Sequence, residues 1–308
     1  MRDAILKFPS QIEIGFDIGN KNKFEGAYRN IYICAMGGSA IPGEILAIIR
    51  PDLNIYLNSD YRLPSTATTN DLVICVSWSG NTEETIAAYD DAVERACPVI
   101  VISKGGILRE KAVRQSISVA AMPDENVPAR FAVGYMFGAL AGILGISDFN
   151  VRNINAEALE IKGRDIASEI DAKIPVIYGS YKWRYLAKFW KTLINENAKI
   201  PAFWNYFPVL GHNEICQFAD RHMRLTPILL RNLDDSPEAL KDIKATIAIL
   251  DNMEYNYTII DISTGMSVLE QVLNNYILAL WTSFYLAKNL GVDPIDTLLV
   301  EKFKSYKN

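Results

Sequence analysis

The sequence Ser77-Trp-Ser-Gly-Asn-Thr-Glu-Glu-Thr85 follows directly after the apolar run Leu72–Val76. That run is uncharged, short and rich in β-branched residues, which predicts a buried strand of a parallel sheet. Two glutamates then favour the first turn of a helix, with Asn81 or Thr82 as its cap. We therefore expect a strand, a turn rich in hydroxyl groups and a helix, which is the repeating unit of parallel α/β proteins.

This turn has the features of an anion-binding site. The free backbone amides and the positive dipole end of the following helix point toward one place, where the hydroxyls of Ser77, Ser79 and Thr82 can donate to phosphate oxygens. The paired glycines and the lysine of a Walker loop are missing from the sequence. A polar turn with helix caps is the alternative explanation of these residues.

A second junction of the same kind lies upstream. Residues 31–36 predict a strand, which leads into Gly37-Gly-Ser39 and an apolar helix at about 42–49. The glycines let the backbone approach a ligand, and Ser39 adds a donor. A dinucleotide site is not predicted, because the third glycine of that fingerprint is missing. In parallel sheets ligands bind beyond the carboxyl ends of the strands, where the winding reverses, so both junctions are candidates for one site.

Other short apolar runs alternate with segments of helix length. They predict strands at 54–57, Val99–Ser103 and 117–120, and in the second half at 175–179, 226–230 and 257–262. Helices are expected in the second half at 156–172, 181–197, 236–250 and 266–290. The fold class is therefore α/β, with two doubly wound parallel sheets, each flanked by helices. Apolar density falls around 145–153, so we expect domains at 1–150 and 151–308.

Composition narrows the functional classes. The chain has 308 residues, of which 50% are hydrophobic, enough for the cores of two domains. Its net charge of -5 argues against nucleic acid as a partner. The charged residues near the N-terminus are unlike a signal peptide, and we expect a cytoplasmic protein. Cys34, Cys75, Cys97 and Cys216 lack Cys-x-x-Cys spacing, so the sequence indicates free thiols rather than disulfides or a zinc framework.

Two uncharged segments are close to the length of a membrane-spanning helix. Residues 131–147 and 271–287 are each 17 residues long, at the lower limit of about 17–25 residues for a spanning helix. Buried helices of a protein without membrane contact are the better interpretation. Gly134, Gly138 and Gly142 recur every four residues, which predicts a smooth helix face for close packing, either within the chain or across a subunit interface.

Glu196 and His212 are candidate catalytic residues in the second half. Glu196 ends a predicted amphipathic helix in Asn195-Glu-Asn-Ala198, and His212 lies in Gly211-His-Asn-Glu214. His222 is the other histidine of the chain. Taken alone, Glu196 has the pattern of a solvated carboxylate at a helix end, and His212 that of a loop histidine bonded to the backbone. Spacing does not place the two in one site.

Taken together, several motifs resemble those of a known family. They are Gly37-Gly-Ser39, the 77–85 turn, Asn195-Glu-Asn-Ala198 with Trp204-Asn205, Gly211-His-Asn-Glu214, and the tail from Asp293-Pro294 to Lys304. In this order they resemble the bifunctional phosphoglucose/phosphomannose isomerases of archaea, members of the phosphoglucose isomerase superfamily built from two sugar-isomerase (SIS) domains. The resemblance covers nearly the whole chain. The serine turn is common to SIS domains, whereas Glu196 with His212 is specific to the isomerases.

The resemblance implies a role for each matching residue. The groups that would hold the sugar phosphate are Gly37, Gly38, Ser39, Ser77, Ser79 and Thr82. Glu196 would move the proton between C1 and C2, while Arg130 would stabilise the enediolate. His212, contributed from the partner subunit of a homodimer, and Lys304 would serve ring opening, with Lys302 as the alternative lysine. Thr297 would leave room for either C2 epimer.

The implied activity is aldose–ketose isomerisation. A metal-independent enzyme without a cofactor would interconvert glucose 6-phosphate and mannose 6-phosphate with fructose 6-phosphate through a cis-enediol, in glycolysis and gluconeogenesis. The chemistry needs a carboxylate to remove a weakly acidic carbon proton, and donors to stabilise the enediolate. The alternatives are a sugar-phosphate sensor or regulator, and another SIS isomerase acting on an aminosugar or pentulose phosphate. A sensor would not require Glu196 and His212.

Overall fold

The computed structural model describes residues 1–148, 150–170, 173–219 and 224–307. The chain divides into two compact units, one of residues 2–154 and the other of residues 155–308 together with Met1. Each unit contains one parallel sheet accompanied by helices. The predicted α/β architecture with two doubly wound sheets is therefore confirmed. His222 and Ala172, the predicted end of a helix, lie outside the described residues.

The first unit is built on a five-stranded sheet. Its strands are β1 Ile31–Ala35, β2 Ile55–Asn58, β3 Leu72–Val76, β4 Val99–Ser103 and β5 Ser118–Ala121. Its α-helices are α1 Arg2–Leu6, α2 Phe8–Asn20, α3 Ile41–Ile49, α4 Glu83–Glu94, α5 Gly106–Arg114 and α6 Val133–Ile143. The strand order β2-β1-β3-β4-β5 makes β1 and β3 neighbours, and the winding reverses between them.

The central strands β1 and β3 follow from their sequences. All residues of both strands are buried, as expected for uncharged runs covered on both faces of a parallel sheet. They pair in register from Ile31 with Leu72 to Ala35 with Val76, so both strands end at the same level. This register brings the two polar turns predicted to form one site to the same edge of the sheet.

Helices α2 and α6 pack together through glycines. A methyl group on Gly138 would lie 2.1 Å from the carbonyl oxygen of Ile12, and one on Gly142 would lie 2.5 Å from that of Phe16. Gly134 meets the same helix near its N-terminal end. The predicted close packing of residues 131–147 is thus confirmed. A helix of the same unit covers the glycine face, so of the two alternatives the structure shows packing within the chain.

The second unit repeats the plan with a four-stranded sheet in the order β7-β6-β8-β9. Its strands are β6 Ile174–Ser180, β7 Phe203–Phe207, β8 Leu225–Asn232 and β9 Thr258–Ile262. Its α-helices are α7 Glu160–Ile170, α8 Arg184–Leu193, α9 Pro237–Asn252, α10 Val268–Asn289 and α11 Leu298–Lys307. As β1 and β3 do in the first unit, β6 and β8 lie side by side across the reversal of winding.

Two features of the second unit bear on the sequence predictions. Strand β7 was not predicted as a strand; it is an edge strand on which only Phe207 is fully buried. Helix α10 is mostly buried and begins with a capping box formed by Ser267 and Glu270, so the apolar segment 271–287 is core. Within the ranges described above, no helix combines the length and apolar character needed to cross a bilayer.

Candidate active site

The turn after β3 forms a compact hydroxyl cluster. The side-chain oxygens of Ser77 and Thr82 lie 3.0 Å apart, and the amide of Gly80 donates to Ser77 Oγ at 3.1 Å. Ser77 is 1% exposed. Gly80 has a φ of 70°, and a side chain there would collide with the carbonyl oxygen of Gly105, so this position requires glycine.

The expected N-cap position of α4 is confirmed, but the capping bond is not formed. Thr82 occupies the N-cap position of α4 with extended backbone, but its side chain makes no capping hydrogen bond. Its hydroxyl contacts Ser77 instead, while the side-chain oxygen of Asn81 accepts from the amide of Ile107. The hydroxyl at the start of α4 is therefore directed into the turn, where an anion would meet it.

Ser39 joins the same cluster from the end of β1. Its hydroxyl oxygen accepts from the amide of Trp78 at 3.1 Å, and its side chain is 5% exposed. Residues Gly37–Ser39 form a short 3₁₀ turn, with Gly37 at a φ of 52°. Ser79 is exposed at the lip of the turn, where its Oγ accepts from the amide of Asn81. The structure thus brings the predicted phosphate-binding residues of both junctions together.

Arg130 lies in the same neighbourhood. It occupies a 3₁₀ turn, Ala129–Phe131, and is 2% exposed. A methyl group on Gly38 would lie 2.7 Å from the backbone nitrogen of Arg130, so the two backbones are in close contact. The indole of Trp78 donates to the carbonyl of Val127 at 2.8 Å, which ties this segment to the hydroxyl turn. The backbone of Arg130 is therefore held beside the Gly37–Ser39 turn, while its guanidinium carbon lies 5.4 Å from the ring centre of Phe131.

Glu196 lies at the end of α8, in a π-helical turn, Ile194–Ala198. Single π turns within helices occur frequently at functional sites. The neighbouring amides are anchored: Asn195 Nδ2 donates to the carbonyl of Ile200 at 2.8 Å, and Asn197 Nδ2 donates to Ser283 Oγ at 2.9 Å. Glu196 is half-buried between these two anchored residues.

Lys199 is a residue that the sequence analysis missed. It ends the π turn with a left-handed backbone, at a φ of 61°. Its ammonium donates to the carbonyl of Glu196 at 2.5 Å and to the carbonyl of Asp296 at 2.8 Å. This lysine therefore holds the Glu196 turn next to the segment that contains Thr297. Nothing in the local sequence indicates it, because the contact with Asp296 is between distant positions.

Thr297 directly precedes the C-terminal helix α11, and Lys304 lies within that helix. The carbonyl of Thr297 accepts from the amide of Glu301 at 3.0 Å, at the start of the helix. Lys304 Nζ lies 2.9 Å from a carboxylate oxygen of Glu301, and both side chains are exposed. Lys302, the alternative lysine, lies 5.7 Å from the ring centre of Tyr306. The two lysines are two positions apart on a helix and so point to different sides of it.

His212 ends a 3₁₀ turn, Val209–His212, and is exposed. A second 3₁₀ segment, Glu214–Ala219, follows directly. Leu210 and Phe218 are both fully buried in the core of this unit. The histidine is thus carried on an irregular segment whose two sides are anchored in the core.

The turn after β8 carries carboxylates, Asp234 and Asp235, where the turn after β3 carries hydroxyls. The amides of Asp234 and Asp235 bond to Asn232, so the turn folds back on the strand end. Burial raises the pKa of the Asp235 carboxyl, although the neighbouring Ser180 hydroxyl and the charge of Lys182 act in the opposite direction. A carboxylate here repels an anion, so this turn is not expected to bind a phosphate.

The cysteines follow the prediction. Cys34, Cys75 and Cys97 are buried and Cys216 is exposed, all as free thiols. A hydrogen bond with Cys34, together with burial, raises the pKa of the Cys75 thiol, so this thiol is protonated and unreactive. Within the described ranges, no group of three or more histidine, cysteine or carboxylate side chains is placed to hold a metal ion.

Comparisons with known proteins agree with this arrangement. Residues 160–306 match the family described as bacterial phospho-glucose isomerase C-terminal SIS domain. Over 287 residues the chain is 33% identical to a bifunctional phosphoglucose/phosphomannose isomerase of Thermoplasma volcanium, covering 91% of each chain. Over 280 residues it is 30% identical to a D-glucosamine-6-phosphate 4-epimerase of Sulfolobus acidocaldarius, covering 87% of this chain and 86% of the other.

Solved structures show the same fold at lower identity. The tagatose-6-phosphate ketose/aldose isomerase of Escherichia coli superimposes with a TM-score of 0.74 at 16% identity, covering 95% of this chain and 93% of that one. The chain has two doubly wound parallel units, and the hydroxyls of Ser39, Ser77 and Thr82, here called the hydroxyl cradle, lie where the winding of the first unit reverses. These features define the class of SIS proteins. Within that class, the chain belongs to the bifunctional phosphoglucose/phosphomannose isomerase family.

Proposed function

We propose that this protein is an aldose–ketose isomerase that interconverts glucose 6-phosphate and mannose 6-phosphate with fructose 6-phosphate through a cis-enediol. The observation that supports this most directly is the hydroxyl cradle. Ser39, Ser77 and Thr82 converge at the carboxyl ends of β1 and β3, where parallel sheets bind ligands. Family membership makes a phosphorylated monosaccharide the expected ligand.

In this proposal the phosphate is the anchor of the substrate. Hydroxyls of Ser39, Ser77, Ser79 and Thr82, with the backbone of Gly37 and Gly38, hold its oxygens. Binding energy from this non-reacting end orients C1 and C2 for the chemical step. Neutral donors suit the task, because rotatable hydroxyls can follow the phosphate oxygens of several sugar phosphates.

Glu196 is the proposed base that carries the proton between C1 and C2. A positioned carboxylate contributes on the order of 10² to 10⁴ in rate, and the Arg130 guanidinium stabilises the enediolate charge. Hexose phosphates are mostly cyclic in water, so His212 and Lys304 are assigned to ring opening. Thr297 is assigned to the contact that accepts either C2 epimer. The reaction as proposed needs no cofactor and no metal ion.

The assembly and setting are further parts of the proposal. Residues 1–150 are an N-terminal SIS domain with the sugar-phosphate cradle, and residues 151–308 are a C-terminal SIS domain with Glu196, His212 and the C-terminal helix. The protein is proposed to act as a cytoplasmic homodimer in glycolysis and gluconeogenesis, with His212 contributed to the partner subunit's site. Light scattering coupled to size-exclusion chromatography measures the oligomeric state.

The test of the isomerase assignment is product analysis by NMR with purified protein. Fructose 6-phosphate should yield glucose 6-phosphate and mannose 6-phosphate, with proton exchange from solvent at C2. Glu196→Gln should lose both the products and the exchange while still binding fructose 6-phosphate. Turnover of Glu196→Gln near that of the unmodified protein would disprove the assignment of the base. Activity is expected to persist after exhaustive treatment with a chelator.

One relative supports a second candidate. The Sulfolobus acidocaldarius protein is named a 4-epimerase of D-glucosamine 6-phosphate and is aligned over most of this chain. Inversion at C4 of glucosamine 6-phosphate is therefore the alternative reaction. The same NMR experiment with glucosamine 6-phosphate separates the two reactions. A 4-epimerase would invert C4 of this substrate and leave its amino group and aldehyde carbon unchanged. C1–C2 isomerisation of fructose 6-phosphate leaves C4 unchanged.

A further inference from the structure

Four polar side chains form a hydrogen-bonded network in the second unit. The hydroxyl of Tyr178 donates to Glu214 Oε1 at 3.0 Å, and Asn205 Nδ2 donates to Glu214 Oε2 at 2.5 Å. Gln217 Nε2 donates to the Tyr178 oxygen at 2.6 Å. Both carboxylate oxygens of Glu214 are thus bound, and the phenol is used as donor and as acceptor. Glu214 lies two positions after His212.

The two donors to Glu214 come from the sheet itself. Tyr178 on β6 and Asn205 on β7 are direct partners in the parallel register, so their side chains lie on the same face of the sheet. Tyr178 is fully buried. Because both strands are fixed by backbone pairing, the position of the Glu214 carboxylate is defined by the rigid framework and not by other mobile side chains.

Apolar contacts hold the same segment from the other side. The ring of Tyr178 lies edge-on to Phe218, with ring centres 6.5 Å apart and planes at 90°. Leu210, two positions before His212, is fully buried. His212 therefore lies between an apolar anchor and a polar anchor, while its own side chain is exposed.

The chemistry of the network favours a supporting role for Glu214. Burial, reinforced by the negative charge of Glu214, raises the pKa of Tyr178 far above its ordinary value, so the phenol remains a proton donor. Each oxygen of the Glu214 carboxylate accepts a hydrogen bond from a side chain of the sheet, so the carboxylate is suited to anchoring its own segment. Charge-assisted hydrogen bonds of this kind are strong enough to fix a segment.

We infer that Tyr178, Asn205 and Gln217 are positioning residues, which hold Glu214 and thereby place His212 for ring opening of the sugar phosphate. The inference rests on the proposed function, in which His212 serves that step. Proton transfer to or from a ring oxygen requires placement within hydrogen-bond reach, and an error of about 1 Å can cost up to about 100-fold in rate.

The experiment compares Tyr178→Phe with Tyr257→Phe. The control also removes a tyrosine hydroxyl that donates to a carboxylate, since Tyr257 OH lies 2.9 Å from Asp251 Oδ1. Tyr257 directly precedes β9, so it is at the amino end of a strand of the same sheet, whereas Tyr178 is near the carboxyl end of β6. Both variants keep the aromatic ring, so packing is matched.

Histidine NMR reads the position of His212 without any need for activity. The chain has two histidines, so two imidazole Hε1 signals are expected, and His212→Asn assigns them. Tyr178→Phe should shift or broaden the His212 signal, whereas Tyr257→Phe should not. A His212 signal unchanged by Tyr178→Phe would overturn the inference. If the unmodified protein lacked isomerase activity, the proposed function would fail while this comparison still decided the positioning role.

Kinetics then separates positioning from a general loss of structure. Tyr178→Phe should lower kcat for fructose 6-phosphate by up to about 100-fold. Inhibition by an open-chain five-carbon aldonate phosphate, which has no ring to open, should remain at the level of Tyr257→Phe. Equal kcat values in both variants would overturn the inference, as would a parallel loss of inhibitor binding. Gln217→Met, which removes one donor at the edge of the network, provides the same comparison if Tyr178→Phe does not fold.

Discussion

Lys199 and Asp296 are 97 positions apart, yet the ammonium of Lys199 donates to the carbonyl oxygen of Asp296 at 2.8 Å. The same ammonium donates to the carbonyl of Glu196 at 2.5 Å. One exposed side chain thus fastens the π turn that carries Glu196 to the segment that leads into α11. Because both segments are assigned to the reaction, we expect this lysine to influence catalysis more than stability.

Lys199→Met should therefore lower kcat for fructose 6-phosphate by about 10- to 100-fold, because a displacement on the order of 1 Å has a cost of that size. The unfolding midpoint should change little, since exposed lysine contacts contribute at most about 1 kcal/mol. Lys111→Met is the control, as Lys111 pairs with Asp90 on the surface of the first unit at 2.6 Å. Equal kcat values for the two variants would show that the link has no catalytic role.

The hydroxyl cradle leads to a prediction about affinity. Ser77→Ala removes a donor that lies 1% exposed beside Thr82 and Gly80. A hydrogen bond to a charged group contributes about 1.5–3 kcal/mol, so we expect inhibition by inorganic phosphate to weaken about 10- to 100-fold. Ser118→Ala is the control, because that exposed serine bonds to Asn22 away from the cradle. Unchanged phosphate inhibition in Ser77→Ala would exclude Ser77 from the phosphate site.

The sequence was sufficient to predict those features of the structure that are determined locally. Strand β3 was predicted with its correct bounds, because an apolar run of five residues between polar turns is too short for a buried helix and has the length of a strand. The meeting of Ser39 with the 77–85 turn also followed, since parallel strands in register end at one edge. The family assignment from the motifs was confirmed by relatives that cover most of the chain.

Other features depend on contacts that a linear pattern does not contain. Strand β7 was missed because most of it is not buried at the sheet edge and its aromatic residues do not alternate regularly with polar ones. Thr82 is the N-cap residue as predicted, but the local pattern did not show that its hydroxyl contacts Ser77 and makes no capping bond. The left-handed conformation of Lys199 and its bond to Asp296 depend on tertiary packing, so neither could be predicted from the local pattern.

The glycine face of α6 predicts a large effect on stability. Gly138→Ala would place a methyl group 2.1 Å from the carbonyl oxygen of Ile12 and force α2 and α6 apart. Overpacking of this kind costs about 1–3 kcal/mol or more in the free energy of unfolding, which urea titration measures. Gly105→Ala is the control, since nothing lies within 4 Å of a methyl group there. A Gly138→Ala variant as stable as Gly105→Ala would refute the close contact between the helices.

Asp71 makes stability depend on acid pH. Burial alone would raise the pKa of this carboxyl, but bonds from the amide and hydroxyl of Thr68 and from Asn30, at 2.7–2.9 Å, outweigh it and lower the pKa. A group with a lowered pKa in the folded state stabilises the protein above its unfolded-state pKa of about 3.9. That stabilisation is lost as the pH falls from about 3.9 through the lower pKa that Asp71 has in the folded state.

Asp71→Asn should therefore lower the unfolding temperature at pH 7, and the difference from the unmodified protein should shrink as the pH falls below about 4. The neutral amide cannot accept from all three donors, and the ionised carboxylate that they favour is gone at every pH. Asp124→Asn is the control, because the Asp124 side chain is 96% exposed and pairs only at 3.4 Å with Lys104. Thermal melts across this range measure both variants, and a pH-independent deficit for Asp71→Asn would mean that its charge is not what stabilises the turn.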